Sequence, residues 1–130
     1  MFAGGITPED IKQGCLGNCY FLSAISALAE FPQLIKRIFV TKKENHAGCY
    51  VVNLCLGGEF YKIIIDDYFP FYPKKQKPAF SQSKDNELWV LLLEKAWAKV
   101  NGNYENTIKG FVSEAFRALT GTPVVFYKHD

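Results

Sequence analysis

The sequence predicts an α+β fold in which helices are set apart from a single β-hairpin. Three features predict it. An apolar run from about Gly17 to Glu30 has helical spacing, the glycine pair Gly57-Gly58 separates two β-rich runs, and a second amphipathic run extends from Glu87 to about Val100.

The elements follow in order. The glycine-rich start through Gln13-Gly14 reads as loop. In the first helix Phe21, Ile25 and Leu28 fall on one stripe, Asn18 is placed to cap the start, and Pro32 bars continuation beyond Phe31. Pro32 can itself open a shorter second helix through Leu34, Ile35 and Ile38. Residues 49–56 and 59–66 are rich in Val, Ile, Tyr and Leu, and both glycines between them tolerate the positive φ that a two-residue turn demands. A long polar loop is expected over 67–85. The helix from Glu87 buries Leu88, Leu92 and Val100, with Gly102 where a C-cap belongs. A further helix is predicted over 112–119, ended by Gly121 and Pro123, and Val124–Tyr127 reads as a short final strand.

Composition narrows the function. With 48% apolar residues, 22% charged residues, 11 Phe, 7 Tyr and 2 Trp, the 130-residue chain has material for one packed core and is not a disordered segment. A net charge of +2 does not make a nucleic-acid surface. The one dense basic run, Lys74-Lys75-Gln76-Lys77, is flanked by Pro73 and Pro78 and reads first as a solvated loop, with an acidic substrate or a membrane surface as the other reading. The four cysteines, at 15, 19, 49 and 55, form no CxxC pair, and only His46 and His129 stand beside them, which argues against zinc. Met1-Phe2-Ala3-Gly4-Gly5 has neither the basic start nor the apolar core of a signal peptide, and no apolar run approaches the ~18 residues of a membrane span. Reduced thiols in the cytoplasm are the expectation.

The chemistry is concentrated in Gln13-Gly14-Cys15-Leu16-Gly17-Asn18-Cys19-Tyr20-Phe21-Leu22. A cysteine on an apolar helix is by default a small core residue. Cys19, however, falls in the first turn, where unused backbone N–H groups and the helix dipole favour negative charge. Gln13, six residues earlier, offers an amide donor that can fold back over the helix start. With the Cys19 backbone N–H it would supply the two donors a developing oxyanion needs.

This segment resembles the active-site loop and helix of papain-like cysteine proteases, and the calpain family in particular. The calpain pattern Gln-Gly-x-Leu-Gly-Asp-Cys-Trp-Phe/Leu-Leu is met at Gln13, Gly14, Leu16, Gly17, Cys19, Phe21 and Leu22. Leu16 selects the branch, because secreted papain relatives carry a disulfide cysteine there. The likeness continues in Gly48, Tyr50 and Val52, in Asp66-Asp67 and Pro70, in Glu87-Leu88-Trp89, in Leu93-Glu94-Lys95-Ala96, in Asn101-Gly102 and in Thr120-Gly121. Two positions depart from it: Asn18 stands for the usual aspartate and Tyr20 for the usual tryptophan.

The resemblance implies a papain-like left, helical subdomain with a small β-hairpin, spanning 1–130. It implies a calcium-dependent cysteine endopeptidase performing limited proteolysis of intracellular proteins, with Cys19 as nucleophile and Gln13 as oxyanion donor. The histidine base and its asparagine would come from a second subdomain outside this chain, so the isolated chain would be inactive; His46 reads as solvated and His129 as linker. Calcium is implied beside the nucleophile, through the carboxylates of Asp10 and Glu87 and the carbonyls of Ala3 and Gly5. Without the resemblance, Asp10 reads as a helix cap and Glu87 as a first-turn carboxylate, with Asp66-Asp67 and Asp85-Asn86 as equal candidates. The rival function is a degenerate, calcium-responsive scaffold.

Overall fold

In the computed structural model the structure describes residues 1–2, 5–12, 17–74, 77–78, 82–83 and 88–129. Four helices carry the core: α1 (Cys19–Ala29), α2 (Pro32–Ile38), α3 (Leu88–Val100) and α4 (Val112–Thr120). Among the described residues three two-stranded antiparallel ladders accompany them. The principal one is the hairpin of β2 (Cys49–Leu56) and β3 (Glu59–Asp66); β1 (Ile11–Lys12) pairs with β6 (Gln82–Ser83), and β4 (Phe71–Tyr72) pairs with β5 (Lys77–Pro78). The α+β reading is correct.

The hairpin runs in unbroken register from Cys49↔Asp66 to Leu56↔Glu59. Its turn is closed by Gly57 and Gly58 at φ +61° and +86°, the positive pair that matches the twist of the strands. Alternate β2 side chains Tyr50, Val52 and Leu54 point into the core, whereas β3 buries only Ile65. The far edge of β2 is occupied by the end of α2, where Phe39 bridges Val52 and the Val40 N–H donates to the Val51 carbonyl.

Around that face α1 buries Phe21, Leu22, Ala24, Ile25 and Leu28, and α3 buries Trp89, Val90, Leu92, Leu93, Ala96 and Trp97. Helix α4 packs on both α1 and β2 through Ala115, Ala118 and Leu119, and α3 packs on β3. The Lys95 ammonium of α3 bonds the Asp66 carboxylate at the end of β3 and the Tyr68 carbonyl beyond it. That ammonium, then the Tyr68 N–H, holds the Asp66 carboxyl below the usual carboxylate range.

Two expectations change. The loop over 67–85 contains β4, β5 and β6, ladders only two residues long that leave no periodicity to read. Helix α3 is described over Leu88–Val100, and Glu87, where the sequence reading starts it, lies outside the described residues. Val124–Tyr127 forms no strand. Val124 and Phe126 line an open apolar groove with Phe111, Val112 and Phe116 at the start of α4, while Val125, Phe126 and Tyr127 stay largely exposed.

Gly121 ends α4 in the left-handed region, φ +73°, with its N–H on the Arg117 carbonyl. A Cβ there would lie 2.6 Å from the Phe60 ring of β3. Gly121→Ala should therefore lower stability by about 1–2 kcal/mol, from backbone strain plus displacement of Phe60. Urea unfolding checks this; an unchanged midpoint would contradict it.

Candidate active site

Cys19 is the first residue of α1 and is exposed. The chain enters from Asn18 at the N-cap position, whose carbonyl accepts from the Phe21 and Leu22 N–H groups at 3.0 and 3.2 Å. Along the solvent side of α1, Cys19, Leu22, Ser23, Ser26, Ala27 and Glu30, with Ile11 of β1, line an open groove of about 510 Å³. The sulfur thus stands at one end of a furrow floored mostly by small side chains. Among the described residues that line it there is no histidine; His46 lies exposed before β2, and His129 is exposed near the chain end.

Asn18 does not cap with its side chain. Its Nδ2 instead donates to Glu94 Oε2 of α3 at 3.0 Å, and the two residues are 1% and 2% exposed. A carboxylate accepts and does not donate, which fixes the amide nitrogen toward Glu94 and leaves Asn18 Oδ1 buried without a donor among the described residues. On the other side of Cys19, the Tyr20 hydroxyl accepts from Trp97 Nε1 of α3 at 3.0 Å. Burial pushes the Tyr20 phenol up, outweighing the lowering effect of the Trp97 bond, and Glu114 adds to the rise. Trp97 also stacks on Phe21, with ring centroids 5.2 Å apart and planes 6° from parallel.

The loop before α4 closes over the same turn. The Lys109 N–H reaches the Gly17 carbonyl at 3.4 Å, with Lys109 at φ +67°. Gly110 lies flat against Tyr20; a Cβ on it would come within 2.6 Å of the ring.

Of the other sequence-predicted site residues, Gln13, Ala3 and Glu87 lie outside the described residues. Asp10 ends a 3-10 turn over Pro8–Asp10, and its side chain is likewise outside the description. Gly5 is exposed, turns the chain at φ +97°, and sets its N–H toward the Phe2 carbonyl at 3.4 Å. No cluster of three or more His, Cys, Asp or Glu side chains occurs among the described residues. Two carboxylates and two carbonyls are nonetheless the hard oxygen donors that calcium takes, and a positive-φ glycine lets a backbone carbonyl turn toward an ion. The donor set fits in kind. Glu94 and Trp97, which bond the residues on either side of Cys19, are not singled out by the sequence analysis as site residues. The readable signal was a lone carboxylate inside the apolar run Leu91-Leu92-Leu93-Glu94-Lys95-Ala96-Trp97.

A model of the calpain family cysteine proteases matches residues 1–130. The chain belongs to the calpain family. It is 43% identical over 122 residues to the calpain-type cysteine protease ADL1 of Oryza sativa subsp. japonica and to DEK1 of Zea mays, covering 93% of this chain and 6% of either relative. It is 39% identical over 127 residues to the calpain-1 catalytic subunit of Rattus norvegicus, covering 95% of this chain and 18% of that subunit. The calpain-family chain thus spans a small part of the curated relatives it matches, and its four helices and β-hairpin make an α+β mix consistent with the N-terminal subdomain of a calpain protease core.

Proposed function

We propose that this chain is the nucleophile-bearing subdomain of a calcium-dependent cysteine endopeptidase that cuts intracellular proteins at a limited number of sites. One observation carries the reading: in a calpain-family chain, Cys19 stands exposed at the first residue of α1, at the end of an open groove. The sulfur attacks the scissile carbonyl carbon, and the Cys19 N–H with the Gln13 amide holds the oxyanion. Collapse breaks the C–N bond and leaves a thioester; water then releases the acyl group. The proton passes to the leaving amine through a histidine held by a second subdomain, which an asparagine orients. The solvent face of α1, with Ser23, Ser26 and Ala27, suits the approach of such a subdomain because small side chains permit close packing.

Calcium would be held by Asp10, Glu87 and the carbonyls of Ala3 and Gly5, and would brace the loop that leads to Cys19. The thiols of Cys19, Cys49 and Cys55 are free, which suits a reducing cytoplasm. No helix among the described residues is long and apolar enough to cross a membrane.

In the longer protease that includes the histidine-bearing subdomain, Cys19→Ala abolishes peptide hydrolysis, and Gln13→Ala lowers kcat by ~10²–10³ with KM little changed. The 130-residue chain alone does not turn over a fluorogenic peptide in calcium until that subdomain is added. Turnover retained by Cys19→Ala would refute the reading; inertness of the supplemented mixture would favour the scaffold.

Calcium at millimolar concentration raises the melting temperature of the chain, because the ion binds the folded state. Asp10→Ala and Glu87→Ala each weaken binding by calorimetry. Absence of both heat and thermal shift would remove calcium from the proposal.

A further inference from the structure

We propose that helix α3 positions the nucleophile: Glu94, acting through Asn18, and Trp97, acting through Tyr20, fix the first turn of α1 from both sides of Cys19. The inference rests on the proposed role of Cys19 and adds two positioning residues to it.

The residues immediately before and after Cys19 each make one buried side-chain hydrogen bond, and both bonds end on α3. Glu94 and Trp97 are three apart, so they project from one face of that helix. Their partners lie 76 and 77 residues away in sequence, so these are tertiary ties and not local turns. Neither tie is needed to cap α1 in the ordinary way. A side chain at the N-cap position normally accepts from the first N–H groups, and Asn18 turns its amide to Glu94 instead. A capping bond has thus been exchanged for a bond that holds the entry to the helix against a second helix.

The consequence falls on Cys19, which lies between the two tied residues. Its own side chain is exposed in the groove, so packing does not set where the sulfur stands. Its position follows from the backbone at 18 and 20. Asn18 cannot shift without leaving a carboxylate that is 2% exposed with one bond fewer. Tyr20 cannot shift without leaving the Trp97 N–H, and its ring is pressed between that helix and the Gly110 backbone. A misplacement of ~1 Å is enough to cost ~10²-fold in rate at a reacting atom.

The test uses native-state alkylation of the 130-residue chain with iodoacetamide, read residue by residue by mass spectrometry. Exposed Cys49 reports reagent access, and Cys55, at 6% exposure, reports global opening. In the unmodified chain Cys19 should react faster than Cys49, since its sulfur is held in one place beside an open groove. Glu94→Ala and Trp97→Phe should each abolish that advantage while Cys55 stays protected. Glu94→Gln, whose carbonyl can still accept from Asn18, should keep it. If Glu94→Ala does not fold, Tyr20→Phe carries the same test, because it removes only a hydroxyl. Three results would overturn the proposal: no advantage of Cys19 in the unmodified chain, an advantage unchanged in the variants, or loss of Cys55 protection in step with Cys19. Should Cys19→Ala in the longer protease keep its turnover, the nucleophile reading falls and this one with it. Should it lose turnover while the alkylation ratio stays fixed across the variants, only the positioning is wrong.

Discussion

A carboxylate taken out of water has to be hydrogen-bonded, and one group that bonds Glu94 is the side chain immediately before Cys19. That requirement organises the helical half of the molecule. It ties the residue before α1 to the middle of α3, beside the first turn of α1. Once they meet, Trp97 is placed to donate to Tyr20 and to stack on Phe21. The same carboxylate reaches further: burial first, then Glu94 and Asp66, push the Tyr104 phenol well above its ordinary range. Polar and apolar contacts therefore meet at the first turn of α1. Dispersion and area burial are tolerant of small slides, whereas a 3.0 Å bond between buried groups is not.

Asn18 takes its meaning from this. An aspartate there would put a second carboxylate against Glu94 in a space where each residue is at most 2% exposed, and one of the two would have to hold a proton. The amide satisfies Glu94 without a second charge. Tyr20 is similarly matched to its surroundings. Its hydroxyl accepts from Trp97, and its ring occupies the space that the missing side chain of Gly110 leaves. The loop holding Gly110 is pinned in turn by the bond from Lys109 to Gly17, which closes a frame around the first turn of α1.

Much of this was legible in the sequence, for identifiable reasons. Gly57-Gly58 named the hairpin because few other residues adopt two successive positive φ values, and the spacing of Phe21, Ile25 and Leu28 named α1 because a buried stripe must repeat with the helix. Cys19 was placeable at a helix start from the local context alone. What escaped was what depends on partners distant in the chain. Asn18 looked like a cap because caps are local, yet Glu94 outcompetes the cap from 76 residues away. Val124–Tyr127 has strand-forming side chains, but Val125, Phe126 and Tyr127 stay exposed, and propensity without burial or pairing does not make a strand. The ladders at 71–72, 77–78 and 82–83 are too short to leave an alternation.

The claim that α3 holds the entrance of α1 can be measured without altering a residue. The Phe21 and Leu22 amides bond the Asn18 carbonyl at 3.0 and 3.2 Å, so their hydrogen exchange reports directly whether Asn18 is fixed. Native-state exchange followed residue by residue by NMR should show both amides protected to the level of Ile25 in the middle of α1, since the tie to α3 couples their opening to that of the core. Exchange of Phe21 and Leu22 at the rate of an unstructured chain, with Ile25 still protected, would show that the first turn frays freely and that the buried bonds from Asn18 and Tyr20 do not hold it.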